Sequence, residues 1–468
     1  MESNTLIQLL GQWSNGAGPL YRQLADALER QVLSGALRAG DRLPAERSLA
    51  ETLAVSRGTV VRAFELLEQK EILERVQGRG TTVTGNLLAT SPNPGFVGDA
   101  LWRPEDDSID LLRAIPRLLP STRQLISEID LTAYADDLNG SEPLGWWSLR
   151  AAIAKLHSAQ GLPTSPHQVL VTNGAQQAIS LVVNSMVQPG DVVLGEDDTW
   201  PGLVDSVRHR RARFEPVPMD SEGIILADLE AKVERCRPTL IALNPQHQNP
   251  TGSRLPLDRV KAVAEIARRH RVLVLEDRVA ADLGFDRRHL PAIDEFNTGG
   301  YGITISSIGK VAWPGVRLGW MRADAQIINR MRSHKAVNDM FTPALSQILG
   351  INIIERYDDF VAERVAGLHS SAEVVIGHLE RNLPDWSFLP PRGGYSIWAT
   401  LPDNVSADAF VRAVGRNGLL LASGRAFCPN DADCSNIRIP FTEEPHVLEA
   451  AMERLAETWT TFRDHEAA

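Results

Sequence analysis

The sequence predicts a multidomain chain: a small N-terminal unit of three helices and a two-strand wing, then a larger α/β unit on a largely parallel sheet. Three observations carry this. Residues 1–85 hold three helix-period patterns followed by two short β-prone runs. Residues 86–106 are rich in Pro, Gly, Ser and Asn (Thr90-Ser91-Pro92-Asn93-Pro94-Gly95) and lack periodicity, which reads as an interdomain linker. Over residues 107–468, apolar strand-length runs alternate with helical patterns.

Within the first unit, Leu20, Leu24, Leu28 and Val32 predict a helix from about Leu20 to Leu33, broken by Gly35 and Gly40. A second helix starts near Pro44 and buries Leu49 and Leu53. After the turn Ala54-Val55-Ser56, Ser56 suits the N-cap of a third helix with Val60, Phe64 and Leu67 on its inner face. Arg57, Thr59 and Arg62 project from its first turns, as in a helix that enters the DNA major groove. Residues 72–76 and 81–84 are the strands, and Gln77-Gly78-Arg79-Gly80 between them forms the wing tip. A small helical bundle with surface arginines is the alternative reading of the same periodicity.

Charge separates the two units. The chain carries a net charge of -11, yet residues 1–85 balance ten basic against ten acidic side chains, so the acidic excess lies downstream and only the N-terminal unit tolerates a polyanion. No apolar run reaches the roughly 18 residues of a membrane span, and the N-terminus has no signal-like segment, so a cytoplasmic protein is expected. Cys236, Cys428 and Cys434 are too few and scattered for a disulfide framework or a zinc site.

In the larger unit, residues 168–172 form a strand that leads through Asn173-Gly174-Ala175-Gln176 into a helix, a turn whose free amides suit a phosphate. Trp200 precedes Pro201-Gly202 and fits either a ring-stacking role or the core. The strand 239–243 ends in Asn244-Pro245-Gln246-His247-Gln248-Asn249-Pro250-Thr251-Gly252, and the strand 272–275 delivers Glu276-Asp277. A carboxylate there would keep a pyridine nitrogen protonated. Of six lysines, Lys70 lies in the first unit, and Lys155, Lys232, Lys261 and Lys335 sit in amphipathic helices where a solvated charge is expected. Lys310, at a strand end beside small residues and seven positions before Arg317, suits a Schiff base with a phosphorylated aldehyde, pyridoxal phosphate. Arg438 interrupts an apolar strand, a costly placement unless it meets an anion such as a ligand carboxylate.

Two resemblances follow. Pro19-Leu20-Tyr21, Gly40-Asp41-Arg42-Leu43-Pro44-Ala45-Glu46-Arg47, Ser56-Arg57-Gly58-Thr59-Val60 and Gly78-Arg79-Gly80-Thr81 resemble the GntR-family winged helix-turn-helix. That resemblance implies DNA contacts by Arg47, Arg57, Thr59, Arg62, Gly78 and Arg79. Gly174-Ala175-Gln176, Trp200-Pro201-Gly202, Asn249-Pro250-Thr251-Gly252, Asp277, Ser307-Ile308-Gly309-Lys310, Arg317-Leu318-Gly319, Gly393-Gly394-Tyr395 and Arg438 resemble the fold-type I aminotransferases. This implies Lys310 for the Schiff base, Asp277 for the ring nitrogen, Asn249 for the phenolic oxygen and Trp200 for the ring face. It further implies Ser307, Arg317 and the Gly174-Ala175-Gln176 turn for the phosphate, and Arg438 for the ligand carboxylate. Together the two units look like a MocR-type transcriptional regulator, which implies a homodimer on operator DNA that responds to pyridoxal phosphate, an amine, an amino acid or a B6 vitamer.

The chain departs from the aminotransferase pattern at Gly309, where a serine usually precedes the lysine, and at Val279, where a tyrosine is common. Around Asn139-Gly140-Ser141-Glu142-Pro143-Leu144-Gly145 the usual tyrosine is also missing, with Tyr134 the nearest. These departures favour binding over efficient turnover. The rival expectation is a working aminotransferase with an accessory DNA-binding domain; a third is a domain that only dimerises.

Overall fold

The computed structural model describes Leu6, Leu10 and residues 13–14, 19–33, 37, 40–53, 55–69, 72–76 and 80–84, then 108–134, 142–296, 298–430 and 434–466. The chain divides into two compact units, Met1–Gly95 and Phe96–Ala468. The expected linker 86–106, the wing tip Gly78-Arg79 and Asn139-Gly140-Ser141 lie outside the described residues.

The N-terminal unit contains α1 (Leu20–Leu33), α2 (Glu46–Leu53), α3 (Arg57–Gln69) and an antiparallel pair, β1 (Leu73–Val76) and β2 (Gly80–Val83). Ser56 starts α3 as its N-cap, its Oγ accepting the Thr59 amide at 3.1 Å. The apolar stripes of the helices meet in one core of Leu24, Leu28, Leu49, Val60, Phe64 and Leu67. The second helix begins at Glu46, two residues later than expected, because Pro44 and Ala45 belong to the connection that precedes it, and Leu53 is only half-buried.

The larger unit opens with β3 (Ile109–Asp110). Its main sheet contains β4 (Val169–Thr172), β5 (Val192–Glu196), β6 (Arg213–Val217), β9 (Leu240–Leu243), β10 (Leu273–Asp277), β11 (Gly302–Ser307) and β12 (Gly319–Ala323); β7 (Met219–Asp220) and β8 (Gly223–Ile224) form a side hairpin. The order across the main sheet is β4-β12-β11-β10-β9-β5-β6, and β12 alone runs against its neighbours. Helices cover both faces, so strands such as Val169–Thr172 and Leu240–Leu243 are buried along their whole length. A four-stranded antiparallel sheet follows, ordered β13 (Ser387–Phe388), β14 (Ser396–Thr400), β17 (Asn436–Pro440) and β16 (Ala422–Ser423). The pair β15 (Leu419–Leu420) and β3 runs parallel. No helix among the described residues is long and apolar enough to cross a membrane.

Register puts the chemistry on one edge. Asp277 pairs with Ile305, Ser307 with Gly319, and Gly319 with Thr172, so three loops leave the sheet side by side. This is the carboxyl edge of the parallel strands, where ligands of open α/β sheets collect.

Candidate functional sites

In the N-terminal unit, Arg47, Arg57 and Arg62 are exposed. Arg47 pairs with Glu51, both exposed, and the exposed Arg57 pairs with the more buried Glu46 at 3.2 Å; ion pairs of this kind contribute little. The Arg62 guanidinium stacks 4.6 Å from the Tyr21 ring centroid, which fixes its direction. Thr59 is half-buried, with its hydroxyl 2.9 Å from Ser56 Oγ. It thus helps to cap the helix whose outer face carries the two arginines.

In the larger unit, a cavity of about 440 Å³ is lined by Ala175, Gln176, Trp200, Asn249, Asp277, Ser307, Lys310, Arg317 and Arg438 together. That volume is within the usual range for small-molecule sites. The fold therefore converges residues spread over more than 260 positions of sequence. Gly174 adjoins the cavity through its contact with Arg317: a Cβ on Gly174 would lie 2.9 Å from the guanidinium. Gly319 packs on the same turn, where a Cβ would come within 2.7 Å of the Gly174 carbonyl carbon and 2.9 Å of the Ala175 nitrogen. The bare backbone at 319 is what lets the start of the helix Ala175–Met186 sit against β12, with its first amides unused inside the helix.

Lys310 lies three residues beyond the end of β11, in a turn rather than on the strand end itself. Its Nζ donates to the Ala114 carbonyl at 2.6 Å and sits 4.3 Å from the centroid of the Tyr395 ring. Burial pushes its pKa down to about 7; the Arg438 and Arg364 guanidinium groups act the same way and Asp277 opposes them. Asp277 accepts the Val279 amide at 3.0 Å, and burial raises its carboxyl to about 6.

The loop after β9 is locked by side chains. Asn244 donates to the Asp277 carbonyl at 2.7 Å and accepts the Asn249 amide at 2.8 Å. Glu196, at the end of β5, accepts the Asn244 amide, and burial lifts its pKa to about 8. Asn249 Oδ1 accepts from Arg438 Nη1 at 3.1 Å, and Arg438 Nη2 donates to the Leu112 carbonyl at 2.6 Å. Arg438 is 2% exposed, its Nε has no hydrogen-bond partner, and burial lowers its pKa to about 10, so it stays charged at neutral pH. Trp200 donates through Nε1 to Gln176 Oε1 at 2.7 Å. Ser307 Oγ donates to the Leu318 carbonyl and accepts the Gly309 amide, while Arg317 Nη2 donates to the Asn173 carbonyl at 2.8 Å.

Sequence reasoning assigned no role to Tyr395, Asn244 or residues 112–115 in this cavity. Lys335 is a correction: its side chain is fully buried, with Nζ 2.7 Å and 2.8 Å from the two Asp339 oxygens. Asp339 Oδ2 also accepts from Asn173 Nδ2 and Gln177 Nε2, so this pair braces the helix start at Ala175. The expectation of a solvated charge failed because the face of that helix bearing Lys335 packs inward. Lys335→Ala leaves a carboxylate without its cation and is expected to cost about 2 kcal/mol or more in urea unfolding.

The comparisons with known proteins agree with this architecture. Residues 20–83 match the model of bacterial regulatory proteins of the gntR family, and residues 117–455 match aminotransferase class I and II. The Bacillus subtilis HTH-type transcriptional regulator YisV is 24% identical, over 92% of this chain and 95% of its own length. The "Probable rhizopine catabolism regulatory protein MocR" of Rhizobium meliloti is 26% identical over 79% of this chain and 78% of its own. Among solved structures, a Pyrococcus horikoshii kynurenine aminotransferase in complex with PMP is similar at TM-score 0.71 and 25% identity, covering 76% of this chain and 91% of that one.

Proposed function

Because this chain belongs to the aminotransferase class I and II family and joins that domain to a GntR-family helix-turn-helix domain, we propose that it is a DNA-binding regulator whose larger unit binds pyridoxal phosphate at Lys310 and senses a carboxylate-bearing amine. The observation that supports this reading is the convergence of Lys310, Asp277, Asn249 and Arg438 on one cavity.

The donor set fits the cofactor. Amides at Ala175 and Gln176, with Ser307 and Arg317, would hold the phosphate; Asp277 would hold the protonated ring nitrogen; Asn249 and Trp200 would hold the phenolic oxygen and the ring face. The buried, unpaired Nε of Arg438 suits a ligand carboxylate. When bound, the cofactor supplies an electron sink for the carbon attached to an amine. The chain's own residues would hold, orient and set charge: Asp277 would keep a bound ring protonated, and burial keeps the Lys310 amine partly neutral at pH 7. Such domains resemble dimers, so a homodimer on a repeated DNA site is part of the reading.

The test measures affinity for genomic fragments recovered with the protein, with and without pyridoxal phosphate. Affinity or footprint should change with the cofactor. DNA binding blind to it, together with sustained transamination, would establish the enzyme reading instead. Arg57→Ala/Arg62→Ala should weaken binding to the recovered fragment by about 1–3 kcal/mol per base contact. If both arginines meet only phosphates, affinity instead falls across all sequences and the salt dependence flattens. Unchanged affinity in the double variant would remove α3 from the groove.

A further inference from the structure

We propose that Glu196, standing behind the cavity wall, is a positioning residue: it holds Asn244 and through it sets both Asp277 and Asn249 against the cofactor ring. This rests on the roles given above to Asp277 and Asn249. Three neighbouring parallel strands carry the arrangement at one edge, with β5 ending in Glu196, β9 running into Asn244 and β10 ending in Asp277. Asn244, Asn249 and Asp277 line the cavity, and Glu196 supports them from the next strand.

Asn244 is the joint. Its Nδ2 donates to the Asp277 carbonyl at 2.7 Å and its Oδ1 accepts the Asn249 amide at 2.8 Å. One side chain therefore spaces the residue assigned to the ring nitrogen from the residue assigned to the phenolic oxygen. Glu196 fixes the main chain of that joint. Both its carboxyl oxygens face the Asn244 amide, at 3.2 Å and 3.0 Å, and Oε2 also lies 3.5 Å from Gln248 Nε2. Gln248 directly precedes Asn249, and its Nε2 donates to the Asp198 carbonyl at 2.5 Å. The bend 244–249 thus closes around one carboxyl group that is 2% exposed.

The group suits this task as a neutral acid. Burial pushes its pKa up to about 8; the Asn244 amide and Gln248 oppose the rise, and the Asp277 and Asp197 charges add to it. At pH 7 it is mostly protonated, which spares the site a second buried anion beside Asp277 and leaves the negative charge to the residue that faces the ring. A neutral side chain of the same shape should serve as well. Removing the acceptor takes away the partner of the buried Asn244 amide and loosens the bend.

The test compares two probes on the full chain. Pyridoxamine phosphate forms no bond to Lys310 and so reads the ring contacts; inorganic phosphate, measured as its competitor, reads the Gly174-Ala175-Gln176 turn, Ser307 and Arg317. Glu196→Ala should bind pyridoxamine phosphate at least about tenfold more weakly than wild type and Glu196→Gln within about twofold, with phosphate affinity unchanged in both. Glu196→Leu fills the space without an acceptor, should match Glu196→Ala, and decides the matter if that variant does not fold. Undiminished pyridoxamine phosphate binding in these two variants, or an equal loss of both probes, overturns the positioning role. Glu196→Gln as weak as Glu196→Ala overturns the neutral acid. Failure of wild type itself to bind pyridoxamine phosphate overturns the functional reading, and this inference with it.

Discussion

Lys310→Ala should lose the visible absorption that pyridoxal phosphate gives with the wild-type chain, and borohydride should no longer fix the cofactor on any single peptide. The fold should survive, with unfolding free energy within about 1 kcal/mol of wild type, because a partly buried lysine at a cavity wall adds little to the core. The size of the chemical effect follows from the amine's charge. An ordinary lysine with a pKa near 10.4 is neutral in only about one molecule in 2,500 at pH 7. Lys310, lowered to about 7 by burial and by the Arg438 and Arg364 charges, is neutral about half the time. The capture rate should therefore climb about tenfold per pH unit below 7 and level off above it. An inflection near 10, or a band that persists in Lys310→Ala, would assign the cofactor to another lysine. If cofactor occupancy is the signal, DNA affinity of the variant should also be indifferent to added pyridoxal phosphate.

Much of this arrangement was readable locally. The Ser56 cap, the stripe of Val60, Phe64 and Leu67, the carboxylate at the end of β10 and an arginine inside an apolar strand are short-range signals, and each element formed where the signal lay. What stayed hidden depends on distant partners. Lys310 meets a carbonyl 196 positions away and Arg438 one 326 positions away, and neither acceptor is a side chain that a sequence displays. Lys335 was misjudged because helical spacing does not reveal which face its helix buries against the start of another. Tyr395 stood in the Gly393-Gly394-Tyr395 motif, but only the turn of the chain there brings its ring under Lys310.

The same geometry bears on turnover. A Cβ at Gly309 would lie 3.2 Å from Ser307 Oγ, a side-chain atom that would have to give by a few tenths of an ångström, and 3.5 Å from Pro314 Cα, an ordinary contact, so it is the missing hydroxyl and not a lack of space that sets this position apart. Val279 lines the cavity as an apolar wall. Two positions expected to bring hydroxyl groups to the cofactor thus bring none, which favours holding a ligand over releasing product. Slow transamination is expected, well below the common enzyme range of roughly 1 to 1,000 per second.

Arg438→Ala should separate ligand sensing from cofactor binding. The side chain is 2% exposed, remains charged at neutral pH, and contributes Nη1 to Asn249 and Nη2 to Leu112 with Nε unpaired. Losing one member of a buried, hydrogen-bonded charge pair costs about 2–5 kcal/mol in binding. Affinity for a carboxylate-bearing amine should therefore fall by about 30-fold to several thousandfold. Arg438→Lys keeps the charge but not the two-pronged geometry and should lie between. Removing the guanidinium also removes one of the charges that depress Lys310, so the pH inflection of cofactor capture should move upward. Spectral titration of the cofactor-loaded protein with L-alanine, L-leucine, 4-aminobutyrate and n-butylamine measures all of this. Wild type should favour the three acids over n-butylamine, and Arg438→Ala should not. Equal responses to all four in wild type, or an unaltered response in the variant, would mean that Arg438 serves only to anchor Asn249 and the segment around Leu112.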